Sequence, residues 1–463
     1  MKRITALFLI ALMTLSLCSC KRVSVDNSSS DFSGESTYNT SYTSTDSSEF
    51  TTVTSTQNKA DNTTQSKNGE SREQNTETPL VSQKPSSPPI DLIHSVSPPL
   101  KTYLSAEYGV YSCYESLSAE QKRIYNIIDK AVNDMQTGMI ELGKCSLQDM
   151  FVSVYSVHMD RPEYFWMPNA YMTRIENDTY YIAFEYSENK ENVSYNFARQ
   201  ERDEMSEKLK SKVKEIKDKI PHNATQYEAE LIVHDFVCKN VEYDNARMSK
   251  NNLTAYGALV DGVAVCEGYA RAMQLILNQI GIPCRLVCGE AGEAHMWNLV
   301  KIGGKWHHLD ATWDDMSKTD GLDIVLHGYF NISDQHIAKT HKVDTDWKNA
   351  TDDILKSGAF NMSLPSCTSM DYFYANIENC ILRDNDEQNI ETLKSHFINA
   401  KQQKNKSCEF YIDSNEIAVD SQRMDMMLKK AIALVNAQNT DKIKGVKSVT
   451  DTETSKSVMF ILK

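Results

Sequence analysis

The chain has 463 residues, 40% of them hydrophobic and 24% charged, with a formal net charge of −14. That length carries two or three domains of ordinary size. The acidic balance argues against a partner bound through nucleic-acid phosphates and against a protein held on anionic lipid by charge.

Residues 1–19 read as a signal peptide. Lys2 and Arg3 precede an apolar run, Ile4–Leu17, which ends in Leu17-Cys18-Ser19-Cys20. The run is shorter than the ~20 residues a membrane span needs, and its flanks are those of a secretory h-region. Small Ser19 before Cys20 resembles the bacterial lipobox. That resemblance implies lipidation at Cys20 and a chain exported to the outer face of the cytoplasmic membrane. Loss of Lys2 and Arg3 takes the net charge from −14 to −16.

Residues 20–99 are dense in Ser, Thr, Asn and Gln and end in a proline-rich patch near Pro85–Pro89. Such a segment buries too little apolar surface to offset the entropy of ordering, so a disordered tether is expected. Its random-coil span is on the order of 50 Å.

The chain has 11 cysteines; Cys18 leaves with the signal and Cys20 is acylated, so 11 − 2 = 9 remain. An odd count with no CxxC offers no zinc-type spacing and leaves at least one thiol free. No metal and no cofactor are expected.

Residues 100–220 form an N-terminal α+β region. A helix starts near Leu117, with Ser116 and Ser118 as cap candidates, and carries Ile124, Ile127, Ile128 and Ala131 on one face. Phe151–Tyr186 is aromatic and β-rich, and predicts strands that include Pro162–Trp166 and Thr179–Phe184. These strands belong to the core or to a cleft wall. Glu201–Lys219 predicts a charged surface helix.

Residues 221–345 hold the catalytic candidates. Thr225 and Glu228 make a capping box for a helix that ends near Asn240 and is expected to bury Leu231, Ile232, Phe236 and Val237. A turn-rich approach, Asn251–Gly262, leads to Cys266 at a loop-to-helix junction. Tyr269, Met273, Ile276, Leu277 and Ile280 give that helix an apolar face, and Gly281 with Pro283 ends it. The positive end of the helix dipole favours a thiolate at Cys266. Gly268 and Ala270 are small enough to leave room for a substrate. Taken alone, a buried structural cysteine is the commoner reading.

The next hairpin changes that balance. Residues 295–302 and 305–312 predict two strands joined by Gly303-Gly304. A two-residue turn sets Ile302 opposite Lys305, Trp297 opposite Asp310 and His295 opposite Thr312. Asp310 is then a diagonal neighbour of His295 on one face, about 7–8 Å away. Its carboxylate would accept the imidazole Nδ1–H and leave Nε2 for the thiol. His307 and His308 compete for the base role; only His308 shares the face of His295. Trp297 is a candidate for the cleft wall or for the core. Tyr256 is a candidate second donor to an oxyanion hole built on the Cys266 backbone N–H. Asp314 and Asp315 read as turn or cap residues. Cys284 and Cys288 share a strand face but stand too far apart for an easy disulfide.

Val265-Cys266-Glu267-Gly268-Tyr269-Ala270, His295-Met296-Trp297-Asn298 and Trp306-His307-His308-Leu309-Asp310-Ala311-Thr312-Trp313 resemble the transglutaminase-like core. The resemblance runs from about Thr225 to Asp334. It implies an α+β, papain-like cysteine-protease/transglutaminase fold, with a helix at the nucleophile and an antiparallel sheet. It also implies Cys266 as nucleophile, His295 as base and Asp310 as the group that orients the base. Residues 346–463 predict a C-terminal α+β module. Its strands are at Tyr372–Asn376, Phe410–Ile412 and Val458–Leu462, and its helices at Ile390–Ala400 and Met424–Val435.

The expected function is acyl transfer or hydrolysis at peptide or amide bonds through a thioester on Cys266. The partner would be a peptide or protein substrate, such as a cell-wall or surface protein. The rival is a non-catalytic surface module that binds through the same cleft. Hydrolysis and amine cross-linking are not separable by sequence.

Overall fold

The structure is a computed structural model that describes residues 13–14, 39–44, 112–168, 170–186, 199–316, 324–344, 364–414, 421–439, 441–450 and 456–463. Cys20 and most of the expected tether lie outside the described residues. One stretch of the tether, Asn39–Ser44, is instead a strand, paired antiparallel with Gly445–Thr450. Among the described residues no helix is long and apolar enough to cross a membrane.

The chain divides into two compact units. The first spans chiefly His94–Glu378 and the second chiefly Asn379–Lys463. The expected N-terminal region and catalytic core therefore fold as one body, and one hydrophobic cluster runs from Ile124 through Met273 to Phe330. The C-terminal boundary also moves from 346 to 379. Residues 364–378 are held to the first unit by Asp334, which accepts from Cys367 N at 2.8 Å, and by a Lys305–Asp371 ion pair at 2.5 Å.

In the first unit, α1 (Ser112–Ser116) and α2 (Ala119–Asn133) are followed by β1 (Ile140–Lys144) and α3 (Leu147–Asp160). Ser118, not Ser116, caps α2, and closes a capping box with Gln121. The strands β2 (Ala170–Glu176) and β3 (Thr179–Phe184) then form a meander with β1. The strand reading of 151–186 thus holds for its second half only. Its first half is α3, buried on every side from Met150 to Asp160. A helix apolar all round shows no 3.6-residue period, and Phe151-Val-Ser-Val-Tyr-Ser-Val157 imitates the alternation of a strand. α4 (Arg199–Lys217) also corrects the sequence reading. Met205, Leu209, Val213 and Ile216 line up on one face and are buried, so it is a core helix with a charged back.

The layer that matters for chemistry begins with α5 (Gln226–Asn240), closed by the Thr225–Glu228 capping box. Its buried face carries Tyr227, Glu230, Val233, His234 and Val237, while Leu231, Ile232 and Phe236 are only half-buried. A short parallel pair, β4 (Glu242–Tyr243) with β5 (Val263–Ala264), brings the chain to α6 (Cys266–Gln279). The strands β6 (Cys284–Glu290), β7 (Ala294–Ile302) and β8 (Lys305–Leu309) follow. After α7 (Ala311–Asp314) come β9 (Phe330–Ile332), α8 (Asp334–Ile337) and β10 (Lys342–Val343). They make an antiparallel sheet in the order β9-β8-β7-β6-β10. The first unit closes with α9 (Tyr374–Ile377), a helical turn where a strand was expected.

The second unit is a separate α+β module. Strands β11 (Ile381–Leu382), β12 (Ser407–Ile412), β13 (Gly445–Thr450) and β14 (Ser457–Leu462) line up as β11-β12-β14-β13, with Asn39–Ser44 at the edge. Helices α10 (Asp386–Gln403) and α11 (Ser421–Gln438) include the two helical stretches read from sequence. Phe397, Phe410 and Phe460 form their shared core, with ring centroids 5.6–6.4 Å apart.

Candidate active site

Chain direction assembles the site. α6 runs away from Cys266, and its far end is tied to the start of β6 through Asn278, which bonds Cys284 N and O at 2.8 and 3.1 Å. β6 returns, β7 pairs antiparallel with it, and Gly289 stands opposite His295. β8 then pairs antiparallel with β7 and ends with Leu309 opposite Asn298. The first residue of α6, the start of β7 and the end of β8 therefore meet at one end of the sheet. Asn298 Nδ2 fixes β7 against α6 by donating to Ala270 O at 2.9 Å, one turn beyond Cys266.

The register predicted from Gly303-Gly304 is the observed one from Ile302–Lys305 to Asn298–Leu309. Beyond Leu309 the strand stops. Asp310 becomes the N-cap of α7, its Oδ1 accepting from Thr312 N at 2.9 Å and Trp313 N at 3.2 Å. That turn presents Oδ2 to His295 Nε2 at 2.6 Å. The expected nitrogen is thus reversed: Nε2 meets the carboxylate, and Nδ1 is the nitrogen left to exchange a proton elsewhere.

Oδ2 has a second partner that the sequence did not announce. His341 Nε2 lies 3.0 Å from the same oxygen, and His341 Nδ1 bonds Thr340 Oγ1 at 2.7 Å. Burial raises the Asp310 carboxyl, but the charges and hydrogen bonds of His295 and His341 outweigh it and hold the carboxyl well below its ordinary range. Asp310 is 1% exposed and His295 4%, so both act in a medium where such bonds are strong. Trp297 stacks on His295 with ring centroids 5.9 Å apart, and its Nε1 donates to His308 Nδ1 at 2.9 Å. It is fully buried and walls the dyad. His308 is spent on Trp297 and on Asp334, and His307 points to Ser369 O at 3.2 Å. Neither reaches Asp310.

Val265, the N-cap of α6, makes no side-chain capping bond, so no side chain of the cap competes for the first-turn N–H groups. Cys266 itself is 1% exposed. Gly268 does not leave room for substrate; a Cβ there would lie 2.6 Å from both Ala264 Cβ and Asn252 O. Its smallness lets the loop before α6 pack. Tyr256 lies at the start of a π-turn, Gly257–Asp261, and its ring packs on Phe165 at 5.0 Å. That places it in the aromatic core. The Pro162–Trp166 stretch is partly a wall as well as core. Pro162, Tyr164 and Phe165 line a small recess beside Glu267, the residue after Cys266. His158 and Arg271 line it too, and Arg271 Nε donates to Glu267 Oε1 at 2.8 Å.

Asp314 and Asp315 are more than turn residues. Asp314 Oδ1 accepts from Tyr329 N at 3.0 Å, and Asp315 Oδ2 lies 2.6 Å from Tyr269 Oη. Cys284 and Cys288 are free thiols on β6.

The profile of the Transglutaminase-like superfamily matches residues 214–311, a span that holds Cys266, His295 and Asp310. The chain carries a transglutaminase-like core. This superfamily contains cysteine peptidases and transglutaminases. Human kyphoscoliosis peptidase is 25% identical over 114 residues, 21% of this chain and 17% of that protein. Mouse kyphoscoliosis peptidase is 27% identical over 94 residues, 17% of this chain and 14% of that protein. The chain therefore spans less than a fifth of the length of these relatives. A solved structure described as a TGase is 15% identical, covers 31% of this chain and 44% of its own, and superposes with a TM-score of 0.22. His341 lies beyond the matched residues of the transglutaminase-like profile.

Proposed function

We propose that this chain is a cysteine enzyme that transfers or hydrolyses acyl groups at peptide or amide bonds. The observation that carries the reading is the buried His295 Nε2–Asp310 Oδ2 bond of 2.6 Å, at the sheet end where α6 begins with Cys266. Cys266 Sγ attacks the amide carbonyl carbon while His295 Nδ1 takes the thiol proton. The tetrahedral oxyanion is met by the first-turn N–H groups of α6. His295 returns the proton to the leaving amine as the C–N bond breaks, and a thioester on Cys266 remains. Water or a second amine then attacks the thioester, His295 takes its proton, and the thiol is restored. Asp310 keeps the imidazole in one tautomer and orientation. With Cys20 lipidated, the enzyme would act outside the cytoplasmic membrane on a cell-wall or surface peptide, at the end of a tether.

The test is incubation with a glutamine peptide and a fluorescent amine. Amine incorporation marks cross-linking, and ammonia release or cleavage without incorporation marks hydrolysis. Turnover that survives Cys266→Ala removes the mechanism.

A second reading, a binding module, is favoured by one observation, the 1% exposure of Cys266. It predicts a thiol that stays inert to alkylation in the folded chain.

A further inference from the structure

A second group of histidines and carboxylates lies apart from the dyad, between α5 and the segment leading into β9. One donor atom each from His234, Asp235 and His327 lies within 4.8 Å of the other two. His327 Nε2 is 2.9 Å from Asp235 Oδ1, and His234 Nδ1 is 3.5 Å from the same oxygen. Two imidazole nitrogens and one carboxylate oxygen gathered this closely can converge on one ion at zinc-type ligand distances of about 2.0–2.2 Å after small side-chain adjustments.

Three further features favour a cation over an ordinary hydrogen-bonded cluster. His234 is 0% exposed, and its Nδ1 has no hydrogen-bond partner although it faces Asp235 and His327. A buried imidazole nitrogen left unpartnered is costly unless something occupies its lone pair. The other nitrogen of the ring, Nε2, faces Asp314 Oδ2 at 3.3 Å, and Asp314 is anchored through Oδ1 to Tyr329 N. Oδ2 makes no hydrogen bond but lies close enough to accept the far N–H once Nδ1 holds an ion, the usual arrangement behind a metal. His327 is also oriented, stacked on Tyr374 at 3.9 Å with an 11° interplanar angle. Cys238 Sγ stands 3.7 Å from His234 Nε2, on the far side of the ring, and donates to Ala311 O, so it is not among the ligands. Entry from solvent is open on one side. Asp235 has 28% side-chain exposure, and its second oxygen is held by Lys239 at 2.6 Å.

We propose that His234 Nδ1, Asp235 Oδ1 and His327 Nε2 bind one borderline divalent transition cation of the zinc type, with water completing the shell. The cation would pin α5 to the chain entering β9. This amends the expectation of no metal, which rested on cysteine spacing, because the ligands are 92 residues apart in sequence. It stands independently of the role of Cys266.

The test is titration of the full-length reduced chain with Zn²⁺ by calorimetry and with Co²⁺ by visible absorption. The expected result is one strong site per chain, with nitrogen–oxygen Co²⁺ bands and no thiolate charge-transfer band. His327→Gln and, separately, Asp235→Asn should each weaken binding at least 100-fold. Asp314→Asn should weaken it about 10- to 100-fold through His234. His341→Gln and Cys367→Ser, which disrupt two other histidine–carboxylate groups, should leave it unchanged. Asp235 is the most exposed ligand, so D235N decides the matter if H327Q misfolds. Absence of a site, or a site that D235N leaves intact, overturns the proposal, as does loss of the site in H341Q or C367S.

Discussion

One helix of four residues, α7, carries an aspartate at each end, and the two have opposite fates. Asp310 at its N-cap accepts from four groups: two backbone amides, His295 and His341. Its carboxyl is held well below the ordinary range. Asp314 at the other end accepts from Tyr329 N but leaves Oδ2 without a hydrogen bond, and burial pushes its carboxyl up to about 6. Both side chains are buried to the same degree. Burial alone does not set the charge of a carboxylate; the number of well-aimed donors does. The end of α7 with a full set of donors faces the candidate dyad. The end lacking one faces the cluster that we assign to a cation.

The comparison is broken most severely at Asp310. Asp310→Asn keeps the size and can still accept from the two backbone amides, but it offers His295 a donor where an acceptor is needed. Turnover in the amide assay should fall about 10⁴-fold, the scale seen when a triad aspartate is amidated. The fold should persist, as read by circular dichroism. A smaller effect is expected at His341. His341→Gln removes one bond to the charged carboxylate while His295 keeps its own. A bond of that kind contributes about 1.5–3 kcal/mol, so a loss of about 10- to 150-fold in kcat is predicted, and the acid limb of the pH profile should move with it. An unchanged profile would make His341 a packing residue only.

The smallest effect sharpens the other side of the comparison. Glu230, like Asp314, is buried with one oxygen unpartnered, while its Oε2 accepts from Asn331 Nδ2 at 2.7 Å. Burial pushes its carboxyl up to about 8, against the opposing effects of Asn331 and His234. A folded value above the unfolded one means that the protonated form stabilises the fold. That contribution is complete below the unfolded value near pH 4 and is lost as pH rises towards 8. Stability measured by urea unfolding should therefore fall by about 1.4 kcal/mol per pH unit between pH 5 and 7 from this group. Glu230→Gln should remove that slope without changing turnover.

What the sequence could and could not disclose follows from the range of each signal. The caps at Ser118 and Thr225 and the Gly303-Gly304 register are local, and each was readable from a few residues. The register carried His295 and Asp310 to one face. The final placement of Asp310 came from the end of the strand, which turned it into a helix cap and selected Nε2. His341 had no local signal. It is 31 residues from Asp310 and reaches it through the turn between α8 and β10, where β10 pairs with β6. His327 reaches Asp235 across 92 residues in the same way. Gly268 misled because a small residue near a nucleophile serves either a substrate or a neighbouring backbone, and only packing tells which. The helix α3 was hidden by its own burial, since a segment apolar on all sides has no period to read.

The central claim is that Cys266 is a nucleophile activated by His295. It is tested most directly by alkylating the folded full-length chain with iodoacetamide near neutral pH and following each cysteine by mass spectrometry. Cys145 and Cys288 are the partly exposed thiols among the described residues, and Cys266 is buried. Accessibility alone therefore puts Cys145 and Cys288 first. The account predicts the reverse, with Cys266 modified ahead of both and slowed to their rate or below in His295→Ala. Early labelling of Cys145 or Cys288 with Cys266 untouched would contradict it.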